Sequence, residues 1–420
     1  PVTTGVNLSI YDDTTNVDGT PAPVDGIDYI YGGFNEDDNT SVSNNALTFN
    51  LTDKSVCCPI NAGYSEFGNV TNNTITINSG TFDYCEIFGG CTIDGSATGN
   101  KIKINDGTFN GCNVYVGLSY SATCNVANNS LIISGGTFGG DSKIYGGNSV
   151  NGDAIGNELT ITGGTFGENS KIYGGYAPDG NANNNTVEIF GGTFTDGFKL
   201  YGGYADDESK SMGNKLNLKI KMGGKAAEVG NFQEMNFTLP TNVLDNDKPM
   251  LSIDELYVDT FGGTATINVY AANGVKLNAG DRITLIKADT ANDTFVAGAV
   301  LGGADVSKII FLDENGTEID PTTLDAFVGL QVILEMLKNY ISGGFEDQQK
   351  APVEAIAGSV AMINQSADLA SGEAMASLQK ETVAGFANTF GAITATRSKY
   401  QTGSHVDMDG WGFLVGAGTT

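Results

Sequence analysis

The sequence predicts an all-β chain: a right-handed parallel β-helix, a solenoid of ~28-residue coils, then a linker α-helix and a truncated β-barrel hairpin. Three observations predict it. A phrase opening on Asn recurs at Asn45, Asn73, Asn100, Asn129, Asn157, Asn185 and Asn214, at spacings of 28, 27, 29, 28, 28 and 29. Within each unit the apolar residues alternate over short runs bounded by glycines. After Pro352 that grammar gives way to a slender apolar stretch and then to two long alternating segments.

One unit, Gly156 to Tyr176, justifies the coil. Leu159 and Ile161 alternate with Glu158 and Thr160, the pattern of a half-buried strand. Gly163-Gly164 permits a corner with positive φ. Thr165-Phe166 starts a second face and Lys171-Ile172-Tyr173 a third. Gly174-Gly175 is read as another turn, and a polar loop leads to the next Asn. One such turn cannot bury its own apolar face, so units must stack, with like residues in columns. Ile133, Ile161 and Ile189 are expected in one column and Phe138, Phe166 and Phe194 in another. The Asn column is expected to bond backbone amides freed by the turn and the Asn one rung above, with a ligand-binding row as the alternative.

The repeat spans 1–230. Residues 231–345 still read as β, in strands such as Thr264–Tyr270, Arg282–Ile286 and Leu330–Leu334, and form a less regular cap on the last rung. Pro352 suits the first turn of a helix, and Ile356, Val360, Ile363 and Ala367 make one stripe, giving a linker helix over 346–380. Residues 381–420 alternate in runs long enough for a membrane barrel wall, broken by a polar turn at Gln401–Ser404. Two strands cannot close a barrel, and the chain opens at Pro1 with no signal peptide, so both ends are expected to be cuts in a longer protein.

Of 420 residues 58 are glycine, and the formal net charge is −28. No basic stripe exists to neutralise phosphates, so nucleic acid is excluded as a partner. Docking on anionic lipid through charge is equally disfavoured. The six cysteines all precede residue 125, and Cys58, Cys85 and Cys112 are each 27 apart, a possible disulfide column on consecutive rungs. Bridged and reduced states both remain open. No Cys-x-x-Cys pair supports zinc.

No catalytic residue, cofactor or metal site is expected. The sole histidine, His405, falls in the hairpin, so a Ser-His-Asp triad in the repeats has no base. Acidic loops such as Glu36–Asp38 and Asp206–Glu208 read as solvated tips, with weak calcium binding through their oxygens as the alternative. One feature stands apart. Phe88, Tyr115, Tyr145, Tyr173 and Tyr201 share a column that alternation points outward, and Tyr176 and Tyr204 recur beside it. Such a ladder grips glycans or a partner surface, or else stiffens the solenoid by stacking.

Three stretches resemble the autotransporters of Gram-negative bacteria. Leu277-Asn-Ala-Gly-Asp281-Arg-Ile-Thr-Leu-Ile286 is similar to a line near the end of their passengers. Ala361-Met-Ile-Asn-Gln-Ser-Ala-Asp-Leu369 resembles the helix leading into the translocator. Gly403-Ser-His-Val-Asp-Met-Asp-Gly-Trp-Gly-Phe-Leu-Val-Gly-Ala417 resembles the opening barrel strands. The resemblance implies a passenger displayed at the cell surface and held at the outer membrane by a barrel this chain almost wholly lacks. The long repetitive face, the acidic surface and the lack of a triad point to a non-enzymatic passenger used in adhesion or cell–cell contact, with glycans or proteins on host or bacterial surfaces as partners. A carbohydrate-active β-helix enzyme and a passive stalk are the alternatives. Cysteines are unusual in such passengers, and only bridges between adjacent rungs are easy to reconcile with export.

Overall fold

The computed structural model describes residues 4–11, 29–258, 263–322, 326–342, 388–401 and 405–418. They fall into two units, Pro1–Tyr340 and Ile341–Thr420.

The first unit is a parallel β-solenoid. Strands one coil apart pair in parallel and in register, so Ile133 lies opposite Ile161 and Ile161 opposite Ile189. The coils feed three sheets, of 15, 13 and 5 strands, the smallest taking one strand from each of five successive coils between Val42–Ser43 and Ala154–Ile155. Both apolar columns form as expected. Phe138, Phe166 and Phe194 stack at 4.9 Å with interplanar angles of 1° and 6°, inside one continuous core of Ile, Leu, Val and Phe. The corner also forms as expected, with φ of +93°, +96° and +105° at Gly136, Gly164 and Gly192. That region strains any side chain with a Cβ.

The Asn column is buried, each residue 0 or 1% exposed. Its bonding repeats on every rung. Oδ1 of Asn129 accepts both the backbone N–H and the side-chain amide of Asn100, at 2.9 and 3.2 Å. Nδ2 of Asn129 donates to the Ala97 carbonyl at 3.0 Å and to Asn157 Oδ1 at 3.0 Å. Each interior Asn thereby satisfies both lone pairs and both amide hydrogens without water. Gln233 closes the ladder, its Oε1 accepting the backbone N–H of Asn214 at 2.9 Å.

This ladder explains a glycine pair that the sequence reading misplaced. Gly174-Gly175 does not turn the chain; it lies inside the strand Lys171–Tyr176. A Cβ on Gly175 would stand 2.4 Å from Asn185 Nδ2, and one on Gly174 only 2.3 Å from the Gly202 carbonyl oxygen. The pair is required by close approach, because the next Asn side chain lies flat against it. Gly33, Gly63, Gly90, Gly117, Gly147 and Gly203 meet their own ladder Asn in the same way. Gly174→Ala is accordingly expected to cost about 1–3 kcal/mol in chemical denaturation, the range for forcing atoms into a packed interior. Gly223→Ala, where an added Cβ meets nothing within 4 Å, should stay within about 0.5 kcal/mol. Equal effects at the two positions would contradict the close-approach account.

Past Asn214 the regular coil loosens. The Thr-Phe strands stop at Thr193–Phe194, while the Ile column continues through Leu218 and Phe237. The strand Arg282–Asn292 still pairs in parallel with Leu251–Tyr257 but takes Gln331–Met336 antiparallel on its other edge. Ser307–Leu312 adds to that strand, again antiparallel. Antiparallel strands at this position end the coil and occupy the edge that another rung would use.

In the second unit, Asn388–Gln401 and His405–Gly418 form an antiparallel pair running from Asn388 opposite Gly418 to Gln401 opposite His405. The expected helix over 346–380 lies outside the described residues. Among the described residues no helix is long and apolar enough to cross a membrane.

Candidate functional site: the aromatic face and a lysine cleft

The 13-stranded sheet carries the tyrosine columns. Along Lys171–Tyr176 the side chain of Ile172 enters the main core and that of Tyr173 does not, as strand alternation requires. Phe88, Tyr115, Tyr145, Tyr173 and Tyr201 are paired rung to rung, and Tyr176 sits opposite Tyr204. The rings pack in clusters of their own, separate from the main core.

Their exposure differs from what alternation alone predicts. Tyr145, Tyr173 and Tyr201 are 7, 7 and 5% exposed. The cause is stacking. Consecutive rings from Phe88 to Tyr201 lie 4.7–5.0 Å apart at 4–12°. Tyr176 and Tyr204 stack on each other at 4.9 Å and stand nearly perpendicular to the first column, at 75–85°. Tyr257 closes the far end, beside Tyr201, where Gly230 leaves it room. The rings of Tyr115, Tyr145 and Tyr173 therefore spend both faces on their neighbours and leave edges and hydroxyls to a partner. Burial pushes the Tyr115 phenol up to about 12, with Glu86 adding to it, and raises Tyr145 and Tyr173 further. These hydroxyls stay protonated and able to donate at any physiological pH.

The lower part of the ladder meets charge. Glu228 contacts both the Lys199 ammonium and the Tyr201 hydroxyl. Burial works against ionisation of its carboxyl, but those two contacts outweigh it and hold the group below the ordinary glutamate range. Lys143, Lys171 and Lys199 form the neighbouring column, ending on Glu228.

Cys58, Cys85 and Cys112 are buried in the main core, and all six cysteines are free. Cys85 Sγ donates to the Val56 carbonyl at 2.9 Å and Cys112 Sγ to the Phe82 carbonyl at 3.1 Å. Its contact with Cys112, together with burial, holds the Cys85 thiol far above its ordinary range, which suppresses thiolate chemistry. The acidic tips are bonded to their own loops: Asp38 takes the Thr40 N–H at 2.8 Å and Asp207 the Ser209 hydroxyl at 2.6 Å. No group of three or more His, Cys, Asp or Glu able to hold a metal occurs among the described residues.

A cleft of about 360 Å³ opens where the Thr-Phe face stops, and no motif in the sequence announces it. Lys225, Lys248, Lys287, Asp196, Ser252 and Asp289 line it. Lys225, Ser252 and Lys287 occupy one column on three successive rungs. The Lys225 ammonium contacts Asp254 and, at 2.7 Å, Asp289 Oδ2, while its backbone N–H donates to Asp196 Oδ1 at 2.8 Å. The only sequence signal is indirect: the Thr-Phe phrase is lost after Asn214, and Gly223-Gly224, both at the cleft, follow soon after. No protein-family model, curated protein or solved structure matches the chain.

Proposed function

We propose that the chain is the surface-displayed passenger of a Gram-negative autotransporter, acting in adhesion or cell–cell contact rather than catalysis. On this reading the coil is right-handed, residues 346–380 form the linker helix, and the hairpin is the opening of a translocator barrel at the outer membrane. The observation that carries it is the in-register solenoid itself. Its faces present the same chemistry on rung after rung, as in the exposed row Thr108, Thr137, Thr165 and Thr193 and the tyrosine edges beside Lys143 and Lys171. Such faces offer many weak equivalent contacts, which multiply in avidity when a partner is itself repetitive. The antiparallel strands that end the coil also support it, since a passenger needs a closed end. Purified chain is expected to bind host matrix, glycan arrays or neighbouring cells, and deletion of the gene to lower adhesion. No binding together with unchanged adhesion would end this reading.

One observation favours a second reading, a carbohydrate-active enzyme. Asp254 and Asp289 both reach the Lys225 ammonium at the cleft, and paired carboxylates are the machinery of glycoside hydrolysis. Sugar release in a glycan digestion screen, abolished in Asp289→Asn, would establish it over adhesion.

A further inference from the structure

We propose that the lysine cleft binds a carboxylate-bearing sugar residue of an acidic glycan; this rests on the adhesive reading and names its ligand. The chain has 21 Lys and Arg against 49 Asp and Glu. Three of those cations nevertheless line a single cleft with two aspartates, and Asp254 reaches Lys225 as a third, so cations match anions there in a chain of net charge −28. A volume of about 360 Å³ lies in the range of small-ligand sites.

The charges are not equivalent. Lys225 is shared by Asp254 and Asp289. Lys287, two rungs from it across Ser252, is exposed and forms no ion pair among the described residues. A carboxylate over Ser252 would meet Lys287 on one side and the Lys225 ammonium on the other, with the Ser252 hydroxyl between. Asp196 and Asp289 then face the rest of the ligand, and carboxylates accept hydrogen bonds from hydroxyls. A compact anion such as phosphate could use the lysines, but it would set its charge against both aspartates. One negative group beside several hydroxyls is the chemistry of a uronate or a sialate.

The test uses the 420-residue chain and a panel of oligosaccharides carrying glucuronate, galacturonate, mannuronate or sialate, with their carboxyl-reduced forms and inorganic phosphate as competitors. Calorimetry should show binding to at least one acidic oligosaccharide, tenfold or more weaker once its carboxyls are reduced. Lys287→Gln should weaken binding at least tenfold with unchanged melting temperature, while Lys103→Gln, on the opposite sheet, should not. Absence of binding across the panel, or full affinity in Lys287→Gln, would overturn the proposal. Equal affinity for phosphate would overturn the glycan assignment in favour of a simple anion site. The two readings fail separately: cell binding without oligosaccharide binding removes the cleft proposal alone, and the converse removes adhesion alone.

Discussion

Asn129→Ala is expected to split the solenoid's unfolding into two transitions. The substitution removes the acceptor of the Asn100 backbone N–H and a donor to the Ala97 carbonyl, both inside the coil. Leaving buried polar groups unpaired costs roughly 1–3 kcal/mol each, so a loss of about 2–6 kcal/mol is expected. In a solenoid that loss falls on one rung interface, because each rung touches only its neighbours. The N-terminal rungs should then melt apart from the C-terminal ones in urea, with hydrogen exchange speeding up first around Asn100 and Asn129. Asn129→Asp should be as damaging: a carboxylate cannot donate to the Ala97 carbonyl or to Asn157 Oδ1, and it brings a charge into the interior. A single unshifted transition in either variant would mean that the ladder contributes little.

Phe166→Ala should destabilise by about 3–5 kcal/mol. The ring is fully buried and stacked on both faces, at 4.9 Å from Phe138 and 4.9 Å from Phe194. Rigid rungs above and below cannot close over the space, so the cavity persists and the cost falls at the upper end of the range. Tyr176→Ala is the informative contrast. That ring has one parallel neighbour and is half-buried, so a clearly smaller loss, near 1–2 kcal/mol, is expected from its area. Comparable losses at the two positions would show that the outer tyrosines are as structural as the inner phenylalanines.

The contrast bears on the aromatic face. Alternation put Tyr145, Tyr173 and Tyr201 outside the core, and they are outside it. Exposure is a separate property, set by the distance to the next ring, and no single repeat contains that distance. At rung spacing, identical flat rings cover one another, so a column of outward aromatics hides its own faces. An exposed Thr or Lys column does not, because its groups present their ends. The same reasoning applies to Gly174-Gly175. Sequence punctuation favours a turn at a glycine pair, and nothing local distinguishes a turn from a strand pressed against a neighbouring Asn.

Periodicity by itself determined the coil, its strands, the Ile and Phe columns and the Asn ladder, since a repeat of fixed length can bury its apolar residues only by stacking in register. The corner at Gly164 was legible for the same local reason, positive φ. Only the tertiary structure decided the rest: that Gly174-Gly175 makes room for Asn185, that the tyrosine faces are covered, and that Lys225, Ser252 and Lys287 share one cleft. Those three lysine-cleft residues are 27 and 35 positions apart, in coils that no longer keep the repeat. Where the period fails, column assignment fails with it, and the meeting of such residues depends on how many loop residues each irregular coil spends between strands.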